Sequence, residues 1–204
     1  MTYFEVFSLP AKLTIDTAAL EKQFYAMSRK LHPDRFASRP EAEQEEALRQ
    51  SSLLNDAYRA LKDPILRTQY LLKLEGVELE EQSKAATDKA RQTGVEKKQV
   101  VPPELLEEVF ELNMQLQEMR AAKQMGHSDE EPELRRSLMT AKDAFDTRMV
   151  ATQAELEGLW ARWDLAVDAG DEAGKASARD AMVALLNKRS YLRNLVRDVN
   201  EALE

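Results

Sequence analysis

An all-α protein is the fold class the sequence predicts, and three observations predict it. Ala, Leu, Glu, Lys, Gln and Arg, the strong helix formers, dominate a chain that is 32% charged and 43% hydrophobic. Glycine and proline are scarce, at 6 and 7 of 204 residues. Apolar residues recur at spacings of three and four wherever they form a pattern, which is the period of a helix face and not of a strand.

The elements follow in order. Asp16 is placed as an N-cap ahead of Leu20, Phe24, Met27 and Leu31, the apolar face of one amphipathic helix. That helix must stop near His32, because Pro33 has no N–H and disfavours helical geometry in the residue before it. A loop from His32 to Pro40 follows, then a second helix from Glu41 whose core face reads Leu48, Ser51, Leu54, Ala57 or Tyr58, and Leu61. Lys62-Asp63-Pro64 ends it and starts a short helix through Ile65, Tyr70 and Leu74. Residues 1–75 therefore read as an antiparallel helical hairpin with short flanking helices. Residues 76–101, polar and charged between Gly76 and Pro102-Pro103, read as a linker.

Residues 102–204 read as a three-helix bundle. Leu105, Val109, Leu112, Leu116 and Met119 make its first stripe. Leu134, Leu138, Ala141, Phe145, Thr152, Leu156, Leu159 and Trp163 make the second; Met182, Leu185, Leu192, Val196, Val199 and Leu203 make the third. Gly126 to Pro132, containing His127, and Ala169 to Gly174 are the expected turns, His127 is expected to be solvated, and Trp160 and Trp163 are expected in the bundle core. The turns are short and Arg189 interrupts the third stripe at a seam position, so the bundle is expected to be intramolecular and the protein a monomer.

Several function classes are excluded or disfavoured. Zero cysteines rule out disulfides, thiolate metal sites and cysteine nucleophiles. The only histidines are His32 and His127, and neither a Gly-rich phosphate loop nor a nucleophile-base pair is present, so no enzyme, cofactor or metal site is expected. A net charge of −8 argues against nucleic-acid binding. No apolar run of about 18 residues and no secretory signal is found, so a cytoplasmic protein without membrane contact is expected.

His32-Pro33-Asp34 stands apart. It closes a helix bearing Lys22, Arg29 and Lys30, is followed by Arg35, and precedes a return helix with Leu54-Asn55-Asp56-Ala57-Tyr58, a concentration of positive charge in an acidic protein. In these features the chain resembles the J-domain family. The resemblance implies that the loop and the basic face dock on a DnaK-type chaperone and trigger its ATP hydrolysis. Lys22, Arg29, Lys30, His32, Pro33, Asp34 and Arg35 would make that contact. Glu21 and Ala26 stand where many J-domains are basic, which thins the docking face.

Tyr3-Phe4-Glu5-Val6-Phe7-Ser8-Leu9-Pro10, His32-Pro33-Asp34-Arg35-Phe36-Ala37-Ser38 and Asp63-Pro64-Ile65-Leu66-Arg67 narrow the resemblance to the HscB family of iron–sulfur co-chaperones. The plan of a J-domain followed directly by a helical bundle is similar too. Membership implies a DnaK- or HscA-type chaperone and the iron–sulfur scaffold IscU as partners.

The first bundle helix carries a second apolar row, Leu106, Phe110 and Met114, roughly 100° to 180° from the stripe at 100° per residue. It reads either as the contact surface of a fully buried helix or as an exposed partner-binding patch. By resemblance, Leu106, Phe110, Glu111, Met114 and Tyr191 would bind the scaffold, with Glu107 a departure from the family's apolar tendency. Alternatives are a J-domain co-chaperone for another client, or a helical structural protein in which the tripeptide is incidental.

Overall fold

The computed structural model describes residues 1–77, 79, 102–126 and 132–204, and these form helices and turns without a strand. In order they are α1 (Tyr3–Val6), α2 (Thr17–Leu31), a 3-10 turn (Pro33–Arg35), α3 (Glu41–Lys62), α4 (Pro64–Leu74), a second 3-10 turn (Pro103–Leu105), α5 (Leu106–Gln124), α6 (Pro132–Ala169) and α7 (Glu172–Leu203). The fold class is all-α, as the periodicity predicts. Most of the expected linker, and His127 with the rest of the first bundle turn up to residue 131, lie outside the described residues. The chain forms two compact units, Met1–Leu79 with Leu156–Val183, and Glu80–Glu155 with Ala184–Glu204.

In the first unit a capping box starts α1. The Glu5 amide donates to Thr2 Oγ1 at 3.2 Å, and the Thr2 amide donates to Glu5 Oε2 at 2.6 Å. Asp16 caps α2 as expected, accepting from the amides of Ala18 and Ala19 at 2.9 and 3.0 Å. The rings of Phe24 on α2 and Tyr58 on α3 stack with centroids 4.0 Å apart, which fixes the hairpin. Phe4, Phe7, Leu13, Leu20, Leu54, Ala57 and Leu61 are buried around it.

One face assignment is corrected. Leu48 is 62% exposed, and the buried residue at that end of α3 is Ala47. Ala47, Leu54 and Leu61 repeat every seven residues, whereas Leu48 falls about 120° from Leu54 around the helix. Ser51 lies about 60° from both Leu48 and Leu54 and so fits either face, and the hydrophobicity of Leu48 decided the expectation wrongly.

Asp63 caps α4, accepting from the Leu66 amide at 2.8 Å, with Pro64 in the first turn where its missing N–H costs nothing. The buried face of α4 includes Arg67, 4% exposed, and Thr68 beside Leu71 and Leu72. The Arg67 guanidinium lies 4.5 Å over the ring of Trp160 and donates to the Leu61 carbonyl at 2.8 Å. Trp160 Nε1 donates to Thr68 Oγ1 at 2.9 Å. Asp164, one turn on, accepts from the amides of Leu13 and Thr14 at 2.9 Å each. Trp160 and Trp163 are therefore core residues, but of the first unit rather than of the bundle. The turn after α6 is also shorter than expected. Gly170, at φ +65, ends α6, and α7 has already begun at Glu172, with Asp171 Oδ1 accepting from the Gly174 amide at 2.9 Å.

The second unit is built on the predicted first stripe and on parts of the other two. Leu156, Leu159, Trp163 and Met182 of those stripes fall in the first unit, and Leu195 and Ala202 are buried where Val196 and Leu203, only partly buried, were expected. Leu105, Val109, Leu112, Leu116 and Met119 are all buried, against Leu138 and Phe145 of α6 and Leu192, Leu195, Val199 and Ala202 of α7. Lys188 to Glu104 at 3.2 Å, in the turn before α5, and Arg148 to Glu108 at 2.9 Å, on α5, are solvent-facing ion pairs at the rim of the bundle.

Candidate functional site

The terminus of α2 sets the geometry of the first candidate site. His32 leaves the helix at φ −60, ψ 129, the extended geometry imposed on a residue before proline. Pro33–Arg35 then close a 3-10 turn in which the Arg35 amide donates to the His32 carbonyl at 3.0 Å. His32 Nδ1 lies 3.4 Å from both the amide and the carboxylate of Asp34. Neutral, it accepts from that amide; protonated, it pairs with the carboxylate. Both side chains face solvent, His32 at 57% and Asp34 at 88% exposure. Arg35 Nη1 reaches back to the Arg29 carbonyl at 3.4 Å, tying the turn to the helix.

Lys22, Arg29 and Lys30 are exposed. At 100° per residue they fall within about 100° of arc opposite the row of Leu20, Phe24, Met27 and Leu31. One face of α2 is thus cationic because the other is committed to the hairpin core. Exposed Tyr25 lies on the cationic side, and sequence reasoning did not single it out. Glu21 is turned away from that face. It accepts from Tyr58 Oη at 3.0 Å and from Lys62 Nζ at 3.3 Å, which together hold its carboxyl below the usual range. Its charge is spent on clasping α3, so it subtracts little from the positive field around the turn.

The second candidate site is on α5. Leu106, Phe110 and Met114 are 55%, 69% and 58% exposed, and they form a row on the side away from the buried stripe. Glu111 is exposed beside them. Tyr191, named with this row, is 6% exposed and part of the bundle core, and burial, with the charge of Asp198 adding, pushes its hydroxyl above the usual tyrosine range.

Residues 2–70 match the DnaJ domain family. The chaperone HscB from Vibrio cholerae is similar over 100% of both chains, at 27% identity and a TM-score of 0.58. The chain carries a DnaJ domain and is similar over its full length to an HscB co-chaperone. Human co-chaperone HscB shares the fold, with 21% identity over 95% of this chain and 82% of that one, and a TM-score of 0.50. The His32-Pro33-Asp34 turn lies inside the matched J-domain, and a J-domain co-chaperone works with an Hsp70-type chaperone. No described helix is long and apolar enough to cross a membrane.

Proposed function

We propose that the J-domain, residues 1–75, stimulates ATP hydrolysis by a DnaK- or HscA-type chaperone, while the bundle, residues 102–204, delivers an IscU-type iron–sulfur scaffold to it. His32, Pro33, Asp34 and Arg35 with Lys22, Arg29 and Lys30 form the chaperone contact. The cationic face steers towards an acidic surface on the partner, and the turn supplies the polar contacts of the docked state. No group from this chain enters the hydrolysis; the J-domain binds one conformation of the chaperone more tightly and so shifts its equilibrium.

The observation that carries the scaffold half is the exposure of Leu106, Phe110 and Met114 on a helix whose core needs are already met by five other apolar residues. Three large apolar side chains on adjacent turns suit an apolar patch on a partner, with Glu111 as the polar rim. Tyr191, being buried, is given a supporting role in the bundle core rather than a contact.

Calorimetric titration of an IscU scaffold into the full chain tests this. Phe110→Ser is expected to weaken binding by about thirty-fold, the loss of a central anchor, with the far-UV spectrum unchanged because Phe110 supports no core. Unchanged affinity would assign the bundle to a different client or the scaffold to a different surface.

A further inference from the structure

At the far end of the J-domain, where α3 meets α4, an open groove of about 700 Å³ is lined by Asn55, Tyr58, Arg59, Lys62, Asp63, Pro64 and Leu66. Arg59 lies eighteen residues beyond the start of α3, about 27 Å along the helix at 1.5 Å per residue, so the groove is remote from the His32-Asp34 turn. We infer that this groove is a second docking surface of the J-domain, one that takes an acidic peptide segment carrying an apolar side chain.

The groups left uncommitted decide the occupant. Tyr58 Oη donates to Glu21, and Lys62 pairs with the same carboxylate. Asp63 is occupied in capping α4. Arg59 and Asn55 are exposed and have no hydrogen bond or ion pair among the described residues. Leu66 is 41% exposed on the groove's apolar side next to Pro64. The surplus charge is thus the Arg59 guanidinium, whose planar fork fits a carboxylate with two hydrogen bonds. The Asn55 amide can pair with a peptide unit, and Leu66 with Pro64 can cover one apolar side chain. A basic segment would meet Arg59 as a like charge, and Asp63 only at the expense of the α4 cap. Acidic and apolar character together match the site.

Amide shifts of the full-length ¹⁵N-labelled chain, titrated with a blocked peptide of alternating leucine and glutamate, test the inference. A lysine-for-glutamate peptide is the comparison. The expected result is saturable shifts at Asn55, Arg59 and Leu66 with the acidic peptide alone, with Arg59→Glu weakening binding about ten-fold or more, as loss of a charge-assisted pair does. Leu66→Ser should weaken it too. Both side chains are exposed and outside the core, so far-UV spectra of the variants should match wild type. Absence of saturable shifts, an equal response to the lysine peptide, shifts confined to the Leu106–Met114 row, or full binding by Arg59→Glu would each overturn it.

Discussion

Asp164 is one side chain of α6 that holds the segment between α1 and α2 in place, and its removal has a calculable cost. Its carboxylate, in a residue 9% exposed, accepts from the Leu13 and Thr14 amides, and Leu13 is fully buried. Asp164→Ala leaves the Leu13 N–H without a partner in the core, at about 1–3 kcal/mol, and the half-buried Thr14 N–H at about half that. Arg67, buried nearby on α4, also loses a countercharge. A total of about 2–4 kcal/mol is expected, against about half as much for Asp164→Asn, which keeps one carbonyl acceptor. Trp160 and Trp163 both lie in the affected unit, so urea unfolding followed by tryptophan fluorescence reads it directly. With m near 1–3 kcal/mol/M, the midpoint should fall by about 1 M or more. Amide exchange at Leu13 and Thr14 should accelerate in parallel. A loss below about 0.5 kcal/mol with unchanged exchange at Leu13 would refute the assignment of these bonds as the anchor of the segment.

Further outcomes are expected elsewhere. On α5, Leu112→Ala should lower stability by about 2–5 kcal/mol, whereas Phe110→Ala, two residues away on the exposed side, should change it by no more than about 0.5 kcal/mol; thermal melts of the pair separate them. Tyr191, ordinarily titrating near 10.0, is raised in the fold. Above that pH the unfolded chain releases the proton first, so stability falls as pH climbs towards the folded value, and Tyr191→Phe should flatten that alkaline loss in pH-dependent melts. Glu21, ordinarily near 4.5, is lowered by the Tyr58 and Lys62 hydrogen bonds. Its contribution is present above the unfolded value and disappears as pH drops through the folded one, so wild type should lose its advantage over Glu21→Gln below about pH 4.5.

Legibility in the sequence followed the range of the interaction. The Asp16 cap, the break before Pro33 and the five-residue stripe of α5 depend on neighbours within a few positions, and each was readable. Leu48 was misplaced because Ser51 lies between the two faces, and local spacing cannot choose between them. The Arg67–Trp160 stack and the Asp164 anchor join residues separated by 93 and about 150 positions, and no local pattern announces them. A charged residue such as Arg67 reads as surface until a ring and a carbonyl are brought to it. At the candidate sites the tripeptide and its cations were visible because they break the rule of an acidic, regularly helical chain. Burial of Tyr191 was not, since an aromatic on a half-apolar helix fits either a core or a patch. The second apolar row of α5 left its own exposure undecided, and only the packed bundle shows which of the two rows faces inward.

The decisive experiment on co-chaperone action is steady-state ATP hydrolysis by the partner Hsp70-type chaperone, measured with wild type and Asp34→Asn, each with and without the IscU scaffold. Stimulation should require Asp34 and rise further when scaffold is added, with the fold of the variant intact. Equal stimulation by Asp34→Asn, or none by either protein, would contradict it.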